Sequence, residues 1–239
     1  MDILRLSEDL QNKISAGEVV ERPSSVVKEL FENSLDAGAK QIDIAIEQGG
    51  NQLIQVRDNG LGIKKDQLPN ALKRFHTSKL SNLNDLFSID TLGFRGEALA
   101  SIASVAQVSI ISNDLGSEGS EINVIDGNLS DVIPAPKIDG TQITIRDLFY
   151  NTPARKKFLK TPRTEARKII ETVKRFGLSC PDLGISLVTD GKKIIDLIPE
   201  SLEDRICSLF DNTYPKNLIP IMISKADFTF SGYIGNLNL

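Results

Sequence analysis

Apolar positions early in the chain change from helical to alternating spacing, which predicts a helix followed by a pair of strands. The helical set is Val26, Val27, Leu30, Phe31 and Leu35. Pro23 suits the first turn of this helix. Backbone N–H groups in the first turn have no partner within the helix, so a proline, which has no N–H, loses no hydrogen bond there. Gly38 ends the helix, and residues 41–46 then alternate like a half-buried strand. A Gly-Gly turn leads into a second strand at residues 53–57.

Polar residues interrupt this pattern in two places. Glu29, Asn33 and Asp36 share a second face of the helix, since residues three and four apart are neighbours there. Asp58 ends the second strand, and glycines follow it closely, where backbone can approach a flat ligand. Taken alone, the helix residues could simply face water and Asp-Asn-Gly could be a simple turn. The residues by themselves leave both interpretations open.

The remaining pattern alternates short helices and strands. Predicted helices cover residues 7–15, 65–75, 163–178 and 202–210, and a shorter one follows Gly96 and ends near Ala103. Predicted strands cover residues 105–112, 121–125, 142–146, 185–189, 193–198, 218–224 and 228–234. The polar stretch from Thr77 to Thr91 predicts a mobile lid over a ligand. The glycine-flanked helix start after it is a weak indication of an anion site.

Composition narrows the class of protein. The 239 residues are 40% hydrophobic and 25% charged, which suits one large domain or one and a part. No apolar run approaches the ~20 residues of a membrane span, and the first residues lack a signal peptide's apolar region, so a cytosolic location is expected. Cys180 and Cys207 suit buried thiols better than a disulfide scaffold or a zinc cluster. His76 is the only histidine, which excludes a histidine-rich metal site and a Ser/His/Asp set.

Charge is unevenly distributed. The formal net charge of −4 argues against indiscriminate nucleic-acid binding. Between residues 155 and 175, however, nine lysines and arginines outweigh Glu165 and Glu171, so this segment carries +7 and the rest of the chain −11. The asymmetry indicates either a local anionic partner or a solvated helix face.

Three stretches resemble, in order and spacing, the nucleotide-binding boxes of the GHKL ATPases: ELFEN at 29–33, DNGLG at 58–62 and GFRGE at 93–97. Within that superfamily the chain is similar to the N-terminal part of the MutL family of DNA mismatch repair proteins. SAGEVVERPSSVVKELFENSLDAGA, GFRGEALASI and DLFYNTPARKKFL match that family almost residue for residue, whereas gyrase B, the histidine kinases and the ninety-kilodalton heat-shock chaperone share only the boxes. The resemblance covers residues 1–239. Neither a Walker A pattern nor a Gly-x-Gly-x-x-Gly is present.

The resemblance implies an α/β fold, the two-layer GHKL (Bergerat) sandwich with a mixed sheet and ATP between sheet and helices. It implies an ATPase domain at residues 1–199 and an incomplete second α/β domain, like a transducer domain, at 200–239, with a hinge at Pro199-Glu200. Leu239 would then lie inside the second domain, and a lysine that reaches the γ-phosphate and a C-terminal dimerisation domain would be absent. An engineered fragment and a truncated product both fit this expectation.

The family's roles fall on matching positions. Glu29 matches the general base that activates water, and Asn33 matches the ligand of Mg²⁺. Asp58 matches the adenine reader, which would favour ATP over GTP because guanine presents an acceptor there. Gly62 lets backbone pass close to the base, and Thr141 matches a hydroxyl that supports Asp58 and the base. The remaining implied contacts are Thr77, Ser78 and Lys79 at the start of the lid, and Gly93, Phe94, Arg95, Gly96, Glu97, Ala98 and Leu99 around the phosphates, with Arg95 and Glu97 as structural partners of the lid.

The function implied by the resemblance is the ATP-binding and slowly ATP-hydrolysing head of a mismatch repair protein, weak or impaired in this chain. Lid closure and nucleotide-dependent homodimerisation would gate DNA and the mismatch-recognition and downstream repair proteins. DNA contact would be weak and independent of sequence, in the cytoplasm or nucleoid. It would run through Arg155, Lys156, Lys157, Lys160, Arg163, Arg167 and Lys168. The alternative is a non-hydrolysing, ATP-gated dimerisation module; a histidine kinase would need a phosphoacceptor helix, and His76 lies beside the lid instead.

Overall fold

The structure is a computed structural model that describes residues 20–79, 82, 85, 87, 90–114, 118–210 and 217–237. The helix predicted at residues 7–15 lies outside the described residues. Within them, no helix combines the length and apolar character needed to cross a bilayer.

The described chain alternates helices and strands along most of its length. The helices are α1 (Pro23–Asp36), α2 (Leu68–Ala71), α3 (Ala98–Ala103), α4 (Pro153–Phe158), α5 (Pro162–Ser179) and α6 (Leu202–Leu209), with 3-10 turns at Gln48–Gly50 and Lys65–Gln67. The strands are β1 (Gln41–Glu47), β2 (Leu53–Asp58), β3 (Gln107–Ser112), β4 (Gly119–Ile125), β5 (Asn128–Leu129), β6 (Ile133–Ala135), β7 (Thr141–Arg146), β8 (Gly184–Thr189), β9 (Lys192–Leu197), β10 (Leu218–Lys225) and β11 (Phe228–Gly235).

One mixed sheet organises the molecule. Its strands lie in the order β5-β4-β3-β7-β2-β1-β8-β9, and β6 pairs with β4. The hairpin of β1 and β2 is antiparallel, with Ile44 opposite Val56. The chain then returns through α5 so that β8 pairs with β1 in parallel, with Ile44 opposite Leu187. The helical return makes this pairing possible, because parallel neighbours need a long crossover. The predicted fold with a mixed sheet is confirmed.

The helices cover one face of the sheet and form the second layer. Alternation along β1 buries Ile42, Ile44 and Ile46 within the core, while Asp43 between them is exposed. Helices α1 and α5 pack against each other through the rings of Phe31 and Phe176, which stack with centroids 4.2 Å apart. The helix that carries Glu29, the predicted catalytic residue, is therefore fixed by apolar contacts on its other face.

Some elements differ from the sequence predictions. The helix predicted at residues 65–75 is only the 3-10 turn followed by the four-residue α2. The helix ends at Ala71, and further along Phe75 takes a left-handed φ of 61° and donates its N–H to the carbonyl of Gly96, so Phe75 is not part of a helix. The periodicity also missed β5, β6 and α4, which are too short for a repeating pattern to show.

Helix α6 packs with the first domain rather than beyond a hinge. The Arg205 side chain is fully buried and donates to Glu200 Oε1 at 2.7 Å. It also donates to the carbonyls of Gly177, Pro181, Leu183 and Ile198. The sequence predicted the hinge at Pro199-Glu200, and in the structure Glu200 is held by these neighbours. We propose that the domain boundary follows Phe210, after which β10 and β11 form their own two-stranded sheet.

Candidate functional site

A large open pocket lies between α1 and the end of β2 on one side and residues 75–79 and 91–99 on the other, with a volume of about 1030 Å³. The structure brings together here every residue predicted for catalysis, nucleotide binding and metal binding. These are Glu29, Asn33, Asp58, Gly62, Thr77, Ser78, Lys79, Gly93, Phe94, Arg95, Gly96, Glu97, Ala98, Leu99 and Thr141. Such a pocket exceeds what most drug-sized ligands require.

Glu29 and Asn33 enter the pocket one turn apart from α1. Burial raises the pKa of the Glu29 carboxyl, and the negative charge of Glu32 raises it further. The ammonium of Lys28, 3.6 Å from Glu29 Oε1, opposes this shift. A carboxylate whose pKa is raised toward neutrality is better matched to accepting a proton at working pH.

Asp58 lies at the inner end of the pocket and is only 7% exposed. Its Oδ2 accepts a hydrogen bond of 3.0 Å from the Ser34 hydroxyl, and its Oδ1 accepts one of 2.9 Å from the N–H of Gly60. Burial raises the pKa of Asp58, and these two donors together with the backbone of Thr141 oppose the rise. The carboxylate therefore has a fixed orientation.

Ser34 was missed by the sequence reasoning. The available signal was its position directly after Asn33, on the buried side of α1.

Thr141 supports this end of the pocket in a different way from the one expected. It lies opposite Asp58 in the pairing of β2 with β7, so its backbone contacts the carboxylate. Its hydroxyl instead forms a 2.8 Å hydrogen bond with Ser112 Oγ, which also accepts from the N–H of Ile63. The three strand ends β2, β3 and β7 are thereby tied together beneath the pocket.

Two of the predicted site residues must be glycine because of the backbone conformation and the backbone around them. Gly62 has a φ of 72°, and a Cβ there would overlap the backbone of Asn113. Gly96 has a φ of 62°, and a Cβ there would overlap the backbone of His76. Any side chain at either position would be strained and crowded, whatever ligand occupies the pocket.

The other end of the pocket is formed by Lys79 and the segment before α3. The Lys79 ammonium donates to Asn33 Oδ1 at 2.9 Å and to Asp36 Oδ2 at 2.6 Å. The N–H groups of Leu92 and Gly93 donate to the same Asp36 carboxylate, at 3.0 and 3.1 Å. Burial raises the pKa of Asp36, but these three donors outweigh it and hold that pKa below its usual range. Asp36 was not among the predicted site residues, although it shares the helix face of Glu29 and Asn33.

The donor set was compared with what Mg²⁺ prefers. Mg²⁺ takes oxygen ligands and commonly binds through one or two side chains plus phosphate oxygens. Asn33 Oδ1 is such an oxygen, and it faces the end of the pocket beside Gly93. Among the described residues, no group of three or more His, Cys, Asp or Glu could hold a metal ion by itself. The residues present therefore fit a metal that is shared with a phosphate ligand.

The predicted DNA-binding residues lie outside the pocket, on α4 and α5 and between them. Lys156, Lys157, Lys160, Arg163 and Arg167 are exposed, whereas Arg155 and Lys168 are partly buried. Arg167 is paired with Glu171 at 3.1 Å, so its charge is partly compensated. The ring of Phe158 is 81% exposed beside the lysines.

The chain is similar to known ATPases and mismatch repair proteins. Residues 21–144 match the family described as histidine kinase-, DNA gyrase B- and HSP90-like ATPase. The DNA mismatch repair protein MutL of Streptococcus pneumoniae serotype 19F is 45% identical over 234 residues, which are 97% of this chain and 36% of that protein. The chain thus spans about a third of the length of the curated relatives it matches.

The chain is also similar to solved structures of this kind. The Aquifex aeolicus MutL ATPase domain complexed with ADP aligns with a TM-score of 0.71 at 32% identity, covering 86% of this chain and 73% of that one. A crystal structure of the N-terminal domain of a DNA repair protein aligns with a TM-score of 0.77 at 25% identity, covering 93% of this chain and 70% of that one.

Proposed function

The chain belongs to the MutL family of DNA mismatch repair proteins, and from this premise we propose that its pocket binds ATP with Mg²⁺ and hydrolyses it slowly. The observation that carries the proposal is that Glu29, Asn33 and Asp58, from two different elements, line one pocket. Asp58 at the inner end takes the adenine, and Asn33 with the Gly93 segment takes the phosphates. The ADP in the Aquifex relative supports a nucleotide in this family's pocket.

Each residue has a distinct task in this proposal. The buried Asp58 carboxylate, oriented by Ser34 and Gly60, accepts a hydrogen bond from the exocyclic amino group of adenine. Glu29 takes the proton of the attacking water, for which its raised pKa is suited. Asn33 holds Mg²⁺, which when bound neutralises charge on the phosphate oxygens. Catalysis then rests mostly on positioning and electrostatic stabilisation.

We further propose that ATP closes the segment from Thr77 to Thr91 over the pocket and favours a homodimer. Most of residues 80–89 lie outside the described residues, so lid closure stays a prediction. The side chains of Phe75 and Leu92 at the pocket's edge are exposed, which suits a surface that becomes covered. Slow turnover is part of what the resemblance to the family implies. The mismatch-recognition and downstream repair proteins, and a nucleoid location, belong to the same proposal.

The deciding experiment separates binding from hydrolysis. ATP affinity, with and without Mg²⁺, and phosphate release are measured for the parent chain and for Glu29→Ala. We expect the variant to bind ATP like the parent and to release no phosphate above background. Glu47→Ala, a partly buried glutamate on β1 away from the pocket, is the matched control and should behave as the parent. A parent that binds ATP but releases no phosphate above background would favour the non-hydrolysing dimerisation module. Release by Glu29→Ala equal to that of a hydrolysing parent would refute Glu29 as the base, and absence of ATP binding would refute both functions.

A second function, DNA binding, is favoured by the exposed cations of α4 and α5. Lys156, Lys157 and Lys160 sit close together in a segment of net charge +7. Phosphate contacts by such side chains position a protein on DNA without reading its sequence. The exposed ring of Phe158 beside them would suit stacking on an unpaired base.

A further inference from the structure

The ammonium of Lys79 occupies the oxygen that the proposed function assigns to the metal. Lys79 Nζ lies 2.9 Å from Asn33 Oδ1 and 2.6 Å from Asp36 Oδ2. The side chains of Lys79 and Asp36 are 19% and 7% exposed, so solvent screens this pair less than a surface pair. A lysine ammonium and a divalent cation at the same amide oxygen would lie close together and repel each other, so the two compete for Asn33 Oδ1.

Asp36 joins both flanks of the lid segment to α1. Lys79 lies at the start of the segment and reaches Asp36 Oδ2. At the other end, Leu92 donates its N–H to Asp36 Oδ1 and Gly93 donates to Oδ2. One carboxylate at the last residue of α1 therefore holds residues that are 13 and 14 positions apart along the chain. Hydrogen bonds to an ionised acceptor are stronger than neutral ones.

From this arrangement we propose that Asp36, Lys79 and Asn33 form a latch that closes the phosphate end of the pocket until a Mg²⁺-nucleotide displaces the Lys79 ammonium from Asn33. Without nucleotide, the Lys79 ammonium occupies the position of the metal and balances the negative charge of Asp36. Asp36 is a positioning residue, because it acts through Lys79 and through the backbone of Leu92 and Gly93. The displacement step rests on the proposed function, whereas the latch itself does not.

The latch has a consequence for ligand entry. If only the unlatched form takes Mg²⁺-nucleotide, the apparent affinity is the intrinsic affinity multiplied by the fraction of molecules that are unlatched. Asp36→Asn keeps the shape of the side chain but removes the charge that holds Lys79. This substitution should enlarge the unlatched fraction and speed the association of nucleotide.

Two measurements test the proposal, one on the nucleotide-free chain and one on the entry of nucleotide. The first is NMR hydrogen exchange at the N–H groups of Leu92 and Gly93 without nucleotide. We expect protection in the parent, at least about tenfold faster exchange in Asp36→Ala, and an intermediate rate in Asp36→Asn. The N–H of Ile44 in the core reports whether each variant is folded. Unchanged exchange at Leu92 and Gly93 in a folded Asp36→Ala would overturn the latch.

The second measurement is the stopped-flow association rate of ADP in the presence of Mg²⁺. Asp36→Asn should associate several-fold faster than the parent, whereas an unchanged or slower rate would overturn the displacement. Asp43→Asn is the matched control, because Asp43 also accepts side-chain hydrogen bonds but lies on the far face of the sheet. This variant should give the same result as the parent in both measurements. A parent chain that binds no ADP would refute the proposed function and the displacement together, and the exchange experiment would still decide the latch.

Discussion

The hydroxyl of Ser34 on α1 donates a 3.0 Å hydrogen bond to the Asp58 carboxylate at the end of β2, 24 residues further along the chain. Both residues are buried, so the bond fixes the orientation of the proposed adenine reader from the helix that carries the proposed general base. The proposed base-recognition end and the proposed hydrolytic end of the pocket are thereby joined by one buried contact between helix and sheet.

Substituting either partner of this hydrogen bond should weaken nucleotide binding, and the two substitutions should differ in the size of their effect. Asp58→Ala should cost about 1.5–3 kcal/mol of ATP affinity, because a charged hydrogen-bond acceptor is lost. Ser34→Ala should cost about 0.5–1.5 kcal/mol, because Asp58 keeps the Gly60 donor. Calorimetric titration with ATP measures both.

Selectivity gives an independent readout of the same site. Asp58→Asn introduces donors that can meet the guanine oxygen, so the preference for ATP over GTP should narrow. Asp43→Asn, a serine-bonded aspartate on the exposed face of β1, should change neither affinity nor selectivity. Tight ATP binding by Asp58→Ala would refute the assignment of this end of the pocket.

The pH dependence of hydrolysis should report the Glu29 carboxyl. Glu29 must be ionised to accept a proton, so the rate should rise with pH through its pKa and then level off. Burial raises that pKa, which places the rise at higher pH than for an exposed glutamate.

Removing either of two neighbouring charges should shift the pH at which the rate rises, and the two shifts should be in opposite directions. Lys28→Gln removes a positive charge that lowers the pKa of Glu29, so the rise should move to higher pH. Glu32→Gln removes a negative charge that raises it, so the rise should move to lower pH. Phosphate release across a pH series measures the shift, and movement of both variants in the same direction would contradict the assignment of Glu29.

Arg205 should be among the most sensitive positions for stability. Replacing it with alanine leaves the partly buried Glu200 carboxylate and several carbonyls without their donor, which should cost about 3–5 kcal/mol of unfolding free energy. Arg175→Ala, at an exposed position of α5, should change the stability by less than about 0.5 kcal/mol. Urea unfolding compares the two. A small effect at Arg205 would argue that α6 is only loosely attached and would restore the boundary at Pro199-Glu200.

Charge reversal on α4 and directly after it should decide whether the basic segment binds DNA. Reversing Lys156, Lys157 and Lys160 to glutamate should weaken binding to unrelated duplexes alike and flatten the salt dependence, whose slope is about −0.9 per phosphate neutralised. Reversing three exposed lysines elsewhere on the surface, Lys40, Lys192 and Lys225, is the matched control. ATP affinity should stay unchanged in both sets.

Phe158→Ala adds a comparison between DNA forms. If the ring stacks on unpaired bases, this variant should weaken binding to single strands by about 1–3 kcal/mol and spare duplexes. DNA binding that survives the lysine reversals would return the segment to a solvated helix face.

The sequence by itself determined the parts of this protein that depend on local order. The apolar stripe of α1, its start at Pro23 and the alternation of β1 follow from spacings of two to four residues, and the structure reproduces each of them. The three stretches that resemble nucleotide-binding boxes could also be recognised, and every site residue predicted from them lines one pocket. Short elements such as β5 and α4 were missed because they contain too few residues to show a period.

Tertiary structure decided whatever depends on partners far apart in the chain. The parallel pairing of β1 with β8, the bond from Ser34 to Asp58 and the hold of Asp36 on Lys79 join residues separated by 24 or more positions. The attachment of α6 was decided by Arg205, whose burial no local pattern predicts, because an arginine is buried only where carbonyls and a carboxylate from other segments converge on it. Spacing shows which face of a helix a residue occupies, and only the folded chain shows which group meets that face.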